Sequence, residues 1–381
     1  MKIVFNMESV SDMECVTGVG QHQLNIVQGI YDLNLTEHYI FLVNEKLEKQ
    51  LKNRYPDIIT YCYGKQEQFI KLSKLYYNLL NNFYLNHVII PRIIRRIKPD
   101  LIFHPFNCVS IKTDFKLPVV TMVLDMYHRF FRQCLSLLNY RMTVIRHNSI
   151  FRNSDSIITS TQSSKNDILQ FYPAYKNDRI HVIPVPVTVN TEDTTPYAID
   201  KPYILCVNSL RYHKNIHTLI KAFNLIKDKT ECDLVLLGEY NQDEEKNIRN
   251  QSDRIRFTGY LSHQERNFLY KNAEMMVSPT MYEGFGMTPV EAMLFNKKVL
   301  VSDIAVMRES TFDKAFYFDD IQNEESLAEM LITVLNTKVT DEHLENVKKE
   351  AEMRYQPERI AKMIHSVFIE ILSEKNNENC H

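Results

Sequence analysis

Two carboxylates, Glu283 and Glu291, enclose the seven residues Gly284-Phe285-Gly286-Met287-Thr288-Pro289-Val290. The apolar run Met275 to Val277 reads as a buried strand entering this loop. A helix is expected to open at its far end, with Thr288 as N-cap, Pro289 in the first helical position and Glu291 at N3. A helix start presents unpaired N–H groups and the positive end of its dipole, and glycines at 284 and 286 let a ligand approach the backbone. That chemistry suits a phosphate. Carboxylates repel phosphate, so two of them facing the same ligand would contact hydroxyl groups. A diphosphate between two polyols is a nucleotide sugar. The spacing Thr288 to Glu291 also fits a capping box, in which Glu291 bonds back to the Thr288 amide. Glycine usage favours the ligand: the chain has eight, and two of them bracket Phe285 ahead of a helix.

A second constellation is Val207-Asn208-Ser209-Leu210-Arg211-Tyr212-His213-Lys214-Asn215. Lys214 could meet a phosphate as a point charge and Arg211 through its planar fork. Taken alone this is a solvated basic loop. Its place after a strand, on the sheet edge that also carries Glu283, favours the phosphate. A third lies near the start, where the strand Lys2 to Phe5 leads to Gly18-Val19-Gly20 and an apolar periodicity from Gln21 to Tyr31. This could cradle phosphate or sugar. The third glycine of the dinucleotide fingerprint is missing, so no nicotinamide site is expected.

These loops need a scaffold, and the chain supplies one twice. With 381 residues, two domains of ~150–200 residues are expected. Short apolar runs at 39–43, 101–104, 119–124 and 156–159 alternate with helical stretches at 66–97, 139–152 and 163–171, the rhythm of a parallel, doubly wound sheet. A polar stretch, 188–201, reads as a linker. The pattern then restarts with strands near 203–207, 234–237, 255–257, 275–277, 298–302 and 316–318. The expected domains are 1–190, completed by a helix at about 357–372, and 202–355, with a disordered tail at 373–381. Sheet edges of two such halves would face each other across a cleft.

Composition narrows the partners. Net charge is −2, which argues against nucleic acid. Seven scattered cysteines without a C-x-x-C pair suggest reduced thiols, and no metal-ligand cluster stands out. No run of ~18 apolar residues and no signal peptide is read, so a cytoplasmic protein is expected. From Met126 to Asn153 the chain holds Arg129, Arg132, Arg141, Arg146 and Arg152 and no acid, with Phe130-Phe131 among them. Arg92, Arg95, Arg96 and Lys98 lie among isoleucines. These fit either an anionic membrane surface, putting the protein on the inner face of the membrane, or a solvated helical face.

With these residues in hand, the chain resembles the retaining glycosyltransferases of family 4, group 1 type. Glu283-Gly-Phe-Gly-Met-Thr-Pro-Val-Glu291 matches that family's E-x7-E signature. Val207 to Asn215 resembles its V-G-[ST]-L-x-x-[RK]-K-N loop, and Leu234 to Gly238, Phe257 to Ser262 and Ser156 to Leu169 follow in familiar order. The resemblance implies an α/β GT-B fold of two Rossmann-like doubly wound domains facing across a cleft. It implies transfer of a hexose from a nucleotide-sugar donor, GDP-mannose first, to a glycan or lipid-linked acceptor in cell-surface polysaccharide synthesis. Glu283 would hold donor hydroxyls, Glu291 the ribose, and Lys214 with Arg211 the phosphates. Phe285, Gly286, Met287 and Thr288 would supply amides, and Ser209, Gly238, Gly18 and Gly20 would border the donor. Asp125 would be catalytic. No cofactor or metal is expected, since the chain has no Asp-x-Asp. The family's histidine before that aspartate is Leu124 here, with His128 or His104 as substitutes, and Asn208 and Asn296 replace family glycines. A sugar-nucleotide epimerase of the same architecture and a catalytically silent sugar-nucleotide binder are the alternatives.

Overall fold

The computed structural model describes residues 1–13, 18–63, 85–107, 117–208, 210–238, 246, 248 and 252–378. The chain divides into two compact units, Met1–Pro186 with Pro357–His381, and Val187–Gln356. Ser209 and the first part of the helical run expected at 66–97 lie outside the described residues.

The first unit holds strands β1 (Ile3–Asn6), β2 (Tyr39–Val43), β3 (Thr60–Cys62), β4 (Leu101–His104), β5 (Val119–Met122), β6 (Ser156–Thr159) and β7 (Ile180–Val182). They lie in the order β3-β2-β1-β4-β5-β6-β7, every pair parallel. Between them run α1 (Gly18–Asp32), α2 (Glu45–Arg54), α3 (Ile90–Ile97), α4 (Tyr127–Phe130), α5 (Leu137–Asn153) and α6 (Gln162–Phe171). A parallel sheet is covered on both faces, so its strands read as continuous apolar runs. Ile3, Phe5, Phe41 and Phe103 point to one face, where Ile26 and Ile30 of α1 meet Ile360 and Phe368 of the chain's last helix. Val4, Leu42 and Ile102 point to the other, against Ile93 and Ile94 of α3. At the first of these contacts a Cβ on Gly29 would lie 2.1 Å from the Pro357 carbonyl oxygen, so only glycine fits.

The second unit is a sheet of β8 (Tyr203–Val207), β9 (Asp233–Leu237), β10 (Ile255–Gly259), β11 (Met275–Ser278), β12 (Lys298–Ser302) and β13 (Phe316–Phe318). Its order is β10-β9-β8-β11-β12-β13, again all parallel. Its described helices are α7 (Ile216–Ile226), α8 (His263–Asn272), α9 (Met287–Leu294), α10 (Ala305–Ser310), α11 (Glu324–Asn336) and α12 (Asp341–Tyr355). Residues 187–201 carry no helix or strand and pack within this unit, where Asn267 Nδ2 donates to the carbonyls of Asn190 (3.0 Å) and Asp193 (3.1 Å).

The last helix, α13, spans Pro357–Glu378. The disordered tail expected at 373–381 is therefore corrected for residues 373–378, which are helical: Arg179 Nη1 holds Glu374 Oε2 at 2.6 Å and Ser373 Oγ donates to Ile369 O at 2.7 Å, while 379–381 lie outside the described residues.

Candidate active site

In each sheet the chain reverses its direction of travel once, between β1 and β4 and between β8 and β11. Ligands of open α/β sheets bind at such switch points, beyond the carboxyl ends of the strands. The sequence-chosen residues Lys214 and Glu283 follow β8 and β11. They meet there.

The loop after β8 closes as a single turn, Tyr212–Lys214, and Asn215 starts α7 from a left-handed conformation (φ 57°). Asparagine tolerates that region better than most residues. Its amide fixes the turn, donating to Ile321 O at 2.6 Å while its oxygen accepts from Thr218 Oγ1 at 2.7 Å. The loop after β11 is stitched to this turn. Met281 N donates to His213 O at 2.7 Å, and Thr280 Oγ1 lies 3.0 Å from the carbonyl oxygens of both His213 and Tyr282. The two loops thus form one rim, and across it Lys214 Nζ donates to Glu283 Oε1. Both side chains are 18 % exposed, so the pair is sheltered yet reachable. His213 is buried, and burial, with Lys214 and Arg211 beside it, pulls it down to about 3, leaving the ring neutral. Arg211 is exposed at the same turn and makes no ion pair with any described residue.

The helix start differs from the one the spacing predicts. α9 begins at Met287, and its N-cap is Gly286 at φ 88°. Glycine enters this left-handed corner without strain, so the helix starts before Thr288, whose capping role is not needed. The amides of Met287 and Thr288 are then first-turn donors, as a phosphate site requires. A Cβ at Gly286 would lie 3.0 Å from Met307 Sδ. Phe285 turns inward instead, edge-on to Tyr355 with ring centroids 5.2 Å apart.

Glu291 makes no capping box, whereas Ser262 and Glu265 make one at the start of α8. Glu291 is 3 % exposed, its Oε2 accepts from Tyr270 OH at 2.8 Å and its Oε1 lies 3.4 Å from Arg266 Nη1. The carboxylate raises Arg266, and burial together with that carboxylate raises the Tyr270 phenol well above its ordinary value. Sequence reading missed Tyr270, Arg266 and Thr280. The spacing Ser262-x-x-Glu265 could have placed the start of α8, but it carries no sign that the helix's inner face holds Glu291. Gly238 follows β9 at φ 145°.

In the first unit, Gly18 and Gly20 stand in the first turn of α1, not in a loop ahead of it, and neither has positive φ. Asp125 Oδ1 accepts from Tyr127 N at 2.9 Å, an Asx turn that starts α4. Of the substitute histidines, His128 is buried against His147, ring centroids 4.1 Å apart. His104 ends β4 at the switch point. Asn6, at the end of β1, donates Nδ2 to His104 Nδ1 at 3.2 Å. Burial holds His104 down at about 4, so it is neutral with its proton on Nε2.

Two family models match the chain in succession: "Glycosyltransferase Family 4" over residues 17–191 and "Glycosyl transferases group 1" over 191–354. The O-antigen chain mannosyltransferase RfbU of Salmonella typhimurium is 30 % identical over 206 residues, 51 % of this chain and 57 % of that protein. Mannosylfructose-phosphate synthase of Agrobacterium fabrum is 23 % identical over 264 residues, covering 62 % and 55 %. The chain thus spans just over half the length of these relatives. Among solved structures, Anabaena HepE in complex with UDP and glucose superposes with TM-score 0.70 at 18 % identity, over 97 % of this chain and all of that one. Sucrose-phosphate synthase of Thermosynechococcus elongatus gives 0.71 at 17 %, over 98 % and 99 %. With two Rossmann-like parallel sheets and both family models in sequence, the chain belongs to the family 4, group 1 glycosyltransferases of GT-B fold.

Proposed function

We propose that the chain is a retaining hexosyltransferase, moving a hexose from a nucleotide sugar to a glycan or lipid-linked glycan in cell-surface polysaccharide synthesis. GDP-mannose is the first choice of donor, a choice supported by the similarity to the mannosyltransferase RfbU. The observation that carries the proposal is the pairing of Lys214 with Glu283 at the switch point of the second sheet. A cation and a carboxylate in contact fit a ligand that offers an anion and a hydroxyl side by side, as a hexosyl phosphate does. On binding, the diphosphate would take Lys214 and the α9 amides, and the sugar hydroxyls would take Glu283.

In this reading the sugar–phosphate bond weakens first. Lys214, Arg211 and the start of α9 stabilise charge on the departing diphosphate. The acceptor hydroxyl attacks the anomeric carbon from the face the diphosphate leaves, and its proton passes to a phosphate oxygen. The proposal includes no metal ion, and it includes a cytoplasmic location at the inner face of the membrane.

A silent binder is the second reading, favoured by Leu124, half-buried against the core, and by the burial of His128. The test is incubation of a panel of nucleotide sugars, GDP-mannose among them, with lipid-linked acceptor and EDTA. Product of retained anomeric configuration, formed only with acceptor, is expected. Donor conversion without acceptor would point to an epimerase, and binding without conversion to the silent binder.

A further inference from the structure

Helix α5 is turned inside out. Leu137, Leu138, Met142 and Ile145 are 57, 53, 37 and 61 % exposed, while the side facing the core offers His147 and Ile150. At about 100° per residue, Leu137, Leu138, Arg141, Met142, Ile145 and Arg152 share one outward face. Arg132 lies just ahead of it, stacked over the Tyr140 ring at 5.0 Å. Arg129 does not belong to the set, because it donates to Tyr172 OH at 3.0 Å and lies over Phe171. No Asp or Glu occurs between residues 126 and 154. The apolar residues of a helix normally face the core; here four large ones do not, and the charges among them all have one sign.

Helix α3 adds to this. Through Ile93 and Ile94 it packs on Ile102, and through Ile150 α5 packs on Val123 and Ile157. Ile102 pairs with Val119, and Thr121 with Ile157, so these residues lie on one face of the sheet. Arg92, Arg95 and Arg96 of α3, all exposed, therefore belong to the same helical layer as α5.

We propose that α5 docks the chain on an anionic phospholipid surface, with Leu137, Leu138, Met142 and Ile145 among the acyl chains and Arg132, Arg141 and Arg152 at the lipid phosphates. Charge selects this occupant over a second copy of the chain, since α5 against α5 would bring arginines together with no acid to meet them. A 17-residue helix whose outward face mixes large apolar residues with arginines suits the interface plane, where arginine stems can lie along the apolar surface while their heads reach the phosphates. No described helix is long and apolar enough to cross a membrane. This deepens the membrane location in the proposed function. Vesicle binding needs neither donor nor acceptor, so its failure would leave the transferase reading standing.

The chain contains no tryptophan, so Ile145→Trp in the full-length protein is a sole fluorescent reporter. With phosphatidylglycerol vesicles at low salt its emission is expected to shift to the blue, and with phosphatidylcholine vesicles to stay in place. Wild-type protein is expected to sediment with the first and not the second. Leu137→Ser with Leu138→Ser should abolish sedimentation, and Arg141→Gln should lower the partition about fivefold. Wild-type protein left in the supernatant of phosphatidylglycerol vesicles would overturn the proposal. So would a dimer in sedimentation velocity that Leu138→Ser dissociates.

Discussion

Lys214 and Glu283, 69 residues apart in the chain, form one ion pair where strand order reverses in the second sheet. The carbonyl of His213 receives the Met281 amide at 2.7 Å, so the residue before Lys214 is bound to the residue two before Glu283. In the proposed reaction a donor would offer a phosphate to Lys214 and a hydroxyl to Glu283. Groups held in this way would need little reorganisation as charge develops on the diphosphate that departs in the proposed reaction.

Loss of either partner is therefore expected to remove transition-state stabilisation and not merely affinity. Lys214→Ala and Glu283→Ala should each lower the transfer rate by about 10²–10³-fold. Each should also lower stability by about 1–3 kcal/mol, since the remaining partner keeps a sheltered charge without its mate. The double variant should lose less stability than the two losses summed, because no orphan charge remains. Initial rates and melting curves check this, and a near-wild-type rate from either single variant would remove the assignment.

Gly286 carries two separable demands, a left-handed backbone (φ 88°) and a neighbour, Met307 Sδ, 3.0 Å from where a Cβ would stand. Gly259 carries only the first, with φ 67° and open space for 4 Å around the place a methyl group would take. Gly259→Ala should cost about 1–2 kcal/mol from backbone strain alone. Gly286→Ala should cost more and also raise the donor KM, because α9 must shift its first turn. Equal melting shifts, with donor KM unchanged, would mean that α9 does not bind the donor through its start.

What the sequence reveals tracks what local pattern can encode. The strands of both sheets are legible because burial on two faces makes each an apolar run, as in Leu101–His104 and Met275–Ser278. Strands β3 and β7 are not, being edge strands of three largely half-buried residues each. Helix α12 escapes reading because its buried residues, Val347, Ala351 and Tyr355, are few among charges. At the site, spacing picks out Lys214 and Glu283, and the rim that joins them comes from backbone bonds no motif records. The start of α9 is misplaced because Thr288 and Pro289 have strong local preferences, whereas the choice of Gly286 depends on Met307 packed beside it. Glu291 answers to Tyr270 and Arg266 on another helix, a tertiary fact.

Acid should unfold the first unit before the second. Burial lowers His22 to about 3, His104 to about 4, His128 to about 3 and His147 to about 4, and it also lowers His181 and His365. All six belong to the first unit, and His213, at about 3, belongs to the second. A histidine with a depressed folded pKa stays neutral while its unfolded counterpart gains a proton. Stability is then flat above about pH 6.5 and falls as pH drops from there toward 3–4, by up to about 1.4 kcal/mol per pH unit for each of the buried His22, His104, His128 and His147. Calorimetry from pH 7.5 to 5 should show one transition moving down steeply and another moving little. His147→Gln should flatten the first; transitions that move together would refute the difference.

Glu291 poses the last question, because its carboxylate is engaged from both sides: Tyr270 OH at 2.8 Å and Arg266 at 3.4 Å. If it serves only the core, Glu291→Gln and Tyr270→Phe should lower stability in parallel and leave donor KM alone. If it also reaches the donor ribose, the two variants must part. Tyr270→Phe removes one neutral-to-charged hydrogen bond, about 1.5–3 kcal/mol of stability, and frees Oε2 for the ribose. Its donor KM should stay near wild type. Glu291→Ala should lose stability by a similar amount or more, since Arg266 is left without its counter-charge, and should raise donor KM about tenfold or more. Donor titration by calorimetry beside thermal melts separates the cases. A Glu291→Ala variant that melts early but binds every nucleotide sugar normally would make this carboxylate a buttress of α8 and leave Glu283 as the sole acidic contact to the donor.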